Sequence, residues 1–184
     1  MHRGGVKILV ALLAYLALAG AASAQTQNTA VGDLALFYNE TGSANVAVGH
    51  QALFSNTEGS ENVAIGALAL NDNTVGNYNV ATGSHALASN LSYFNTATGH
   101  WALRNNSVGG ENVASGAYSL LDNTSGSSNV AVGSVALSAN TTGSNNVAVG
   151  KDALRFAEAS NANVAIGSNA MQRLVGDSNI AMGR

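Results

Sequence analysis

The chain has 184 residues, enough for one domain of ordinary size, yet only 9% are charged and 5% aromatic, where about a quarter charged is usual. It has no cysteine, which excludes a disulfide framework, a thiolate metal site and a cysteine nucleophile. A formal net charge of −3 excludes the basic footprint of a nucleic-acid binder.

Residues 1–24 read as a secretory signal peptide. Arg3 and Lys7 make the positive n-region, Ile8 to Ala19 the apolar stretch, and Ala22-Ser23-Ala24 a small-residue cleavage site before Gln25. The apolar run is short for a bilayer, and no later stretch is apolar enough to cross one. Cleavage leaves residues 25–184 as a single domain with five basic and ten acidic residues, a net charge of −5 (5 − 10).

That domain is one repeat. Asn-Val-Ala-Val-Gly, with small variations, starts at Asn28, Asn45, Asn62, Asn79, Asn95, Asn112, Asn129, Asn146, Asn163 and Asn179, at spacings of 16 or 17 residues. The unit is N-V-A-V-G-x-x-A-L-x-x-N-T-x-G-S-x, best seen in residues 45–61 and 129–145. Fixing one such unit costs on the order of 17–34 kcal/mol of backbone entropy. Its few Val, Leu and Ala side chains return far less unless coils stack on one another. The fold class is therefore an all-β repeat solenoid of about ten 17-residue coils.

Within a coil, β-branched Val46 and Val48 around Ala47 predict a strand, and Gly49 a sharp corner. Stacked in parallel register, ten coils make a rod roughly 45–50 Å long. The Val46 and Val48 columns read as facing inward. The column between them is alanine in every copy, which predicts close packing on that face too, in the solenoid interior or between chains. The second half of each coil fits either a second strand or about one and a half helical turns. The Asn-Thr-x-Gly turn at Asn56 to Gly59 needs a left-handed residue or a local side-chain bond.

Asn45, Asn62, Asn79, Asn112, Asn129, Asn146 and Asn163 would stack vertically. An array for glycan or ice is one reading of such a column, and a structural ladder that satisfies the backbone at a corner is the preferred one. Catalysis finds no foothold. There is no G-x-S-x-G elbow and no phosphate-cradling G-x-x-x-x-G-K. His50 and His100 follow a motif glycine by one residue and His85 by two, and strand alternation would point His85 and His100 in different directions. The acids Glu40, Glu58, Glu61 and Glu111 scatter near turns as solvated charge, so no metal or cofactor is expected. Trp101 and Tyr118 share one column in successive coils. They are a contact face for a partner or sugar or, as preferred here, are covered by another chain.

Asn62-Val63-Ala64-Ile65-Gly66 and Asn163-Val164-Ala165-Ile166-Gly167 resemble the S/N-V-A-I-G core of YadA-like head repeats. Such repeats form the heads of trimeric autotransporter adhesins, with relatives in phage tail fibres. The resemblance spans residues 28–183. It implies a left-handed parallel β-roll, assembly as a parallel trimer, and exposed faces that bind matrix or other surfaces. The family's period is shorter, so the turn here carries extra residues. Within residues 28–184 neither the family's coiled-coil stalk nor its membrane barrel is expected.

The expectation is an exported, non-catalytic adhesive or structural protein at the cell surface or outside it, which gains avidity from repeated weak contacts. A phage-fibre-like or secreted filament subunit is the alternative, although the signal peptide argues against a virion protein. An ice-binding face is a weaker one, because the column of Thr57, Thr74, Thr124 and Thr141 is interrupted by Glu40, Leu91, Ser107 and Glu158.

Overall fold

The computed structural model describes residues 27–183, so the signal peptide at 1–24 lies outside the described residues. Each motif forms one three-residue strand: β1 (Thr29–Val31), β2 (Val46–Val48), β3 (Val63–Ile65), β4 (Val80–Thr82), β5 (Thr96–Thr98), β6 (Val113–Ser115), β7 (Val130–Val132), β8 (Val147–Val149), β9 (Val164–Ile166) and β10 (Ile180–Met182). They pair in chain order as one parallel sheet. The protein is an all-β parallel solenoid, with no helix among the described residues.

Register follows the columns. Val46 pairs with Val63, Ala47 with Ala64 and Val48 with Ile65. The 16-residue step preserves it, Val80 pairing with Thr96 and Thr82 with Thr98. The missing residue is absorbed in the turn, where Asn90 Nδ2 donates to Ser92 O at 2.9 Å rather than to an oxygen three residues on.

The interior is narrow. The alanine column of the strands is fully buried from Ala47 to Ala165, together with an Ala-Leu pair such as Ala52 and Leu53 in each complete coil, Ser119-Leu120 taking its place in one. One leucine per coil (Leu53, Leu70, Leu87, Leu103, Leu120, Leu137, Leu154) is the largest apolar side chain inside. The Val46 and Val48 columns do not face this core. They lie on the outer face of the sheet, partly exposed at Val46 and Val48 and 42% exposed at Ile65. Side chains alternate across a strand, and only alanine fits the side that faces the leucine of the same coil.

The second half of the coil is neither a regular strand nor a helix. Two hydrogen-bonded turns follow the corner, closed by Ala52 N to Gly49 O and Asn56 N to Leu53 O, both 3.3 Å. Gln51 (φ 53°) and Leu53 (φ 50°) are left-handed, and the same two positions are left-handed in the other coils. Such residues break strand alternation, which is how adjacent Ala52 and Leu53 both reach the interior. Their N–H groups tie the coil to its neighbours on both sides, Gln51 N to Asp33 O at 2.9 Å and Leu53 N to Ala69 O at 3.0 Å. Each left-handed non-glycine residue costs about 1–2 kcal/mol locally, and the inter-coil bonds and leucine burial hold it there.

The corner glycine is obligatory. Gly116 has φ +135°, and a Cβ there would lie 2.6 Å from the carbonyl carbon and oxygen of Gly133 in the next coil. Backbones therefore stack at the corner closer than any side chain permits.

Candidate functional site

Three features line the rod from end to end or interrupt it: buried asparagine ladders, the outer sheet face, and a patch of rings.

The motif asparagines form a continuous ladder inside. Asn62 N and Nδ2 both donate to Asn45 Oδ1, at 3.0 and 3.2 Å, and Asn62 Nδ2 also donates to Gly76 O at 2.8 Å. The pattern continues through Asn79, which donates to Asn62 Oδ1, and through Asn112, Asn129, Asn146 and Asn163, each donating to the asparagine one coil before. All of these side chains are fully buried, so this column presents nothing to a ligand.

The turn asparagines form a second ladder beside the first. Asn56 Nδ2 donates to Asn39 Oδ1 at 2.7 Å and to Gly59 O at 2.8 Å, an oxygen that also accepts from Asn45 Nδ2. The turn is thus held by a side-chain bond. Asn56 and its equivalents are not among the left-handed residues. Outside this ladder, Thr57, Thr124 and Thr141 donate their hydroxyls to Thr74 O, Thr141 O and Glu158 O at 2.9–3.0 Å.

The outer sheet face carries two columns, from Thr29 to Ile180 and from Val31 to Met182, with no charged residue in either. Val31 is 56% exposed, and Val80, Val113, Val132 and Ile166 are also exposed. Parallel sheets are almost always covered on both faces, and here one face has no cover from its own chain.

Trp101 and Tyr118 are brought together, with ring centroids 5.8 Å apart at 69°. His85 extends the row on the preceding coil, 5.9 Å from Trp101. His100 sits beside it, 5.3 Å from Trp101 and 5.6 Å from Tyr118. His85 and His100 lie only 6.4 Å apart, contrary to the expectation that alternation would separate them. The reason is the backbone: His85 (φ 57°) and Trp101 (φ 60°) are left-handed, and strand geometry has ended before them.

Arg104 completes the patch, its guanidinium 4.5 Å from the Trp101 ring. Ser84 Oγ fixes His85 Nδ1 at 2.9 Å. Burial, then Arg104, then His100 hold the His85 pKa below its ordinary value of 6.5. Trp101 Nε1 and Arg104 Nε are buried without a hydrogen-bond partner among the described residues. Sequence reasoning singled out Trp101 and Tyr118 and missed His85, His100 and Arg104 as their neighbours. The shared column of His85 and the position of Arg104 three residues after Trp101 were the signals available.

Phe54 packs separately, stacked on Phe37 at 5.8 Å, and Phe94 stacks on Tyr78 at 5.0 Å. Phe156 lies between the guanidinium groups of Arg155 and Arg173, at 4.9 and 5.2 Å. No group of three metal-ligating His, Asp or Glu side chains occurs among the described residues, and no helix long and apolar enough to cross a membrane occurs among them. Comparison with protein-family models, curated proteins and solved structures gives no match for this chain.

Proposed function

We propose that this protein is an exported, non-catalytic structural and adhesive rod that assembles with copies of itself through the outer face of its sheet and presents its remaining surfaces for multivalent contact. One observation carries the reading: a parallel sheet ten strands long, in register, with one face uncharged and uncovered, and apolar except at Thr29, Thr82, Thr96, Thr98 and Ser115. A mostly apolar, uncharged strip on a stiff support marks an interaction surface. Sister chains are its fitting partner, because a thin coil with an alanine-filled interior gains from them the burial it lacks. The resemblance of the Asn-Val-Ala-Ile-Gly motifs to YadA-like head repeats supports three chains in parallel, and the signal-peptide character of residues 1–24 supports export.

Residues 25–184 are expected to scatter light with three times the protomer mass. Paired Val130→Glu and Val132→Glu changes put charge at the centre of the face, where burial without a partner is costly. They should give protomer mass with unchanged circular dichroism. A wild-type monomer overturns the assembly, and a wild-type trimer that fails to coat onto any matrix or cell surface overturns the adhesive role.

A further inference from the structure

We propose that the patch of His85, His100, Trp101, Arg104 and Tyr118 is a binding site for a carboxylate-bearing sugar residue of a glycan. The proposal deepens the reading of the rod as a contact surface and does not depend on the number of chains in it.

Charge gives the first argument. The described residues hold ten acidic side chains and only four Lys or Arg. In so acidic a protein an arginine has carboxylates to choose from, and Arg155 uses one, pairing with Asp152 at 3.2 Å. Among the described residues no carboxylate pairs with Arg104; its guanidinium rests on the Trp101 ring, and its Nε is buried beneath the surface. The His85 imidazole lies close enough to feel its charge, and His100 is 6.4 Å from His85. The patch therefore collects donors and positive charge with no anion of its own. A guanidinium is the side chain best suited to grip a carboxylate with two parallel bonds.

The rings give the second. His85, Trp101 and Tyr118 form a row over three coils, with His100 alongside. Their apolar surface suits the C–H face of a pyranose ring, and Tyr118 and the imidazoles add polar groups at the rim for hydroxyls. An acidic peptide would use the arginine but leave this mixture of ring faces and short-range donors largely unused. A neutral sugar would leave Arg104 unpaired. A sugar carrying a carboxylate uses both.

Trp101 is the only tryptophan in the chain, so its fluorescence reports the site directly. The wild-type protein is titrated with sialyllactose, with lactose as the neutral sugar, and with acetate and a polyglutamate peptide as anions lacking the ring. Sialyllactose should give a saturable change, at least about tenfold tighter than lactose, acetate or the peptide. Arg104→Ala should weaken it about tenfold, and Arg104→Lys should recover only part of the loss. Tyr118→Ala should weaken it severalfold, and His50→Ala, away from the patch, should leave it unchanged. No saturable response to sialyllactose, equal binding of lactose, acetate or polyglutamate, or an Arg104→Ala protein of normal circular dichroism that binds as the wild type does would each overturn the proposal. The same titration on the Val130→Glu, Val132→Glu protein, read beside its scattering mass, separates a failure of assembly from a failure of sugar binding.

Discussion

Asn140 Oδ1 is buried with no donor to accept from among the described residues, because position 157, where the turn ladder needs its next amide, is Ala157. Every earlier rung is complete, and Asn140 itself donates to Asn123 Oδ1 at 2.7 Å. Replacing Ala157 by asparagine should supply the missing donor and let the new amide also reach Ser160 O, as Asn56 reaches Gly59 O. A gain of about 1 kcal/mol is expected, read as a higher urea midpoint at unchanged slope.

The motif ladder predicts the opposite sign. Asn112 Oδ1 accepts Asn129 N and Nδ2 at 3.0 and 3.1 Å, while its own amide serves Asn95 Oδ1 and Gly126 O. Asn112→Ala leaves the buried Asn129 N–H without a partner, at about 1–3 kcal/mol, while Gly126 O keeps its bond from Asn123 Nδ2 at 2.9 Å. Amide hydrogen exchange should quicken first at Val113 and Asn129, the backbone sites on either side of the break.

Two glycines separate conformational need from tolerance. Gly116→Ala would drive a Cβ into the Gly133 carbonyl at a left-handed φ, so it should abolish stacking at that junction. At Gly110 the nearest atoms to an added Cβ are Ser92 Oγ and Tyr93 O, both at 3.3 Å, and no left-handed φ is involved. Gly110→Ala should fold with a melting temperature within a few degrees of wild type, about 1 kcal/mol or less. Thermal melts of the two variants, followed by circular dichroism, make the comparison.

The pH dependence has a definite sign at His85. Its folded pKa lies below the ordinary 6.5 because of burial, Arg104 and His100. As pH falls through 6.5 the unfolded chain takes up the proton first, so stability is intact above that pH and is lost below it, down to the depressed folded value. His85→Gln, the residue that Gln51 already places in this column, removes the contribution. Urea midpoints at pH 5.5 and 7.5 should differ less in the variant than in the wild type.

The solenoid, its period and its strand register were legible because they depend on repetition: a column that is always alanine or always asparagine marks a place in space whatever the local conformation. The direction of the valines was not. Val46 and Val48 are the most hydrophobic residues of their strand, and hydrophobicity alone sends them inward. What decides is width, since the coil interior is filled by one leucine, small alanines and the ladder asparagines, with no room for a valine opposite the leucine. The turns after the corner were illegible for another reason. Leu53 and His85 are ordinary L residues with no bias toward φ > 0, and the pitch of the neighbouring coils imposes that conformation on them. The ring patch inherited the error, because the relative direction of His85 and His100 depends on that same backbone.

An interior filled with alanine, leucine and asparagine also changes how the protein meets temperature. Heat-capacity change on unfolding rises with the apolar area exposed and falls with the polar area, averaging about 12–15 cal/mol/K per residue in ordinary domains. A core whose buried amides rival its leucines sits below that average. The curve of stability against temperature is correspondingly shallow, so the rod loses little of its strength in the cold.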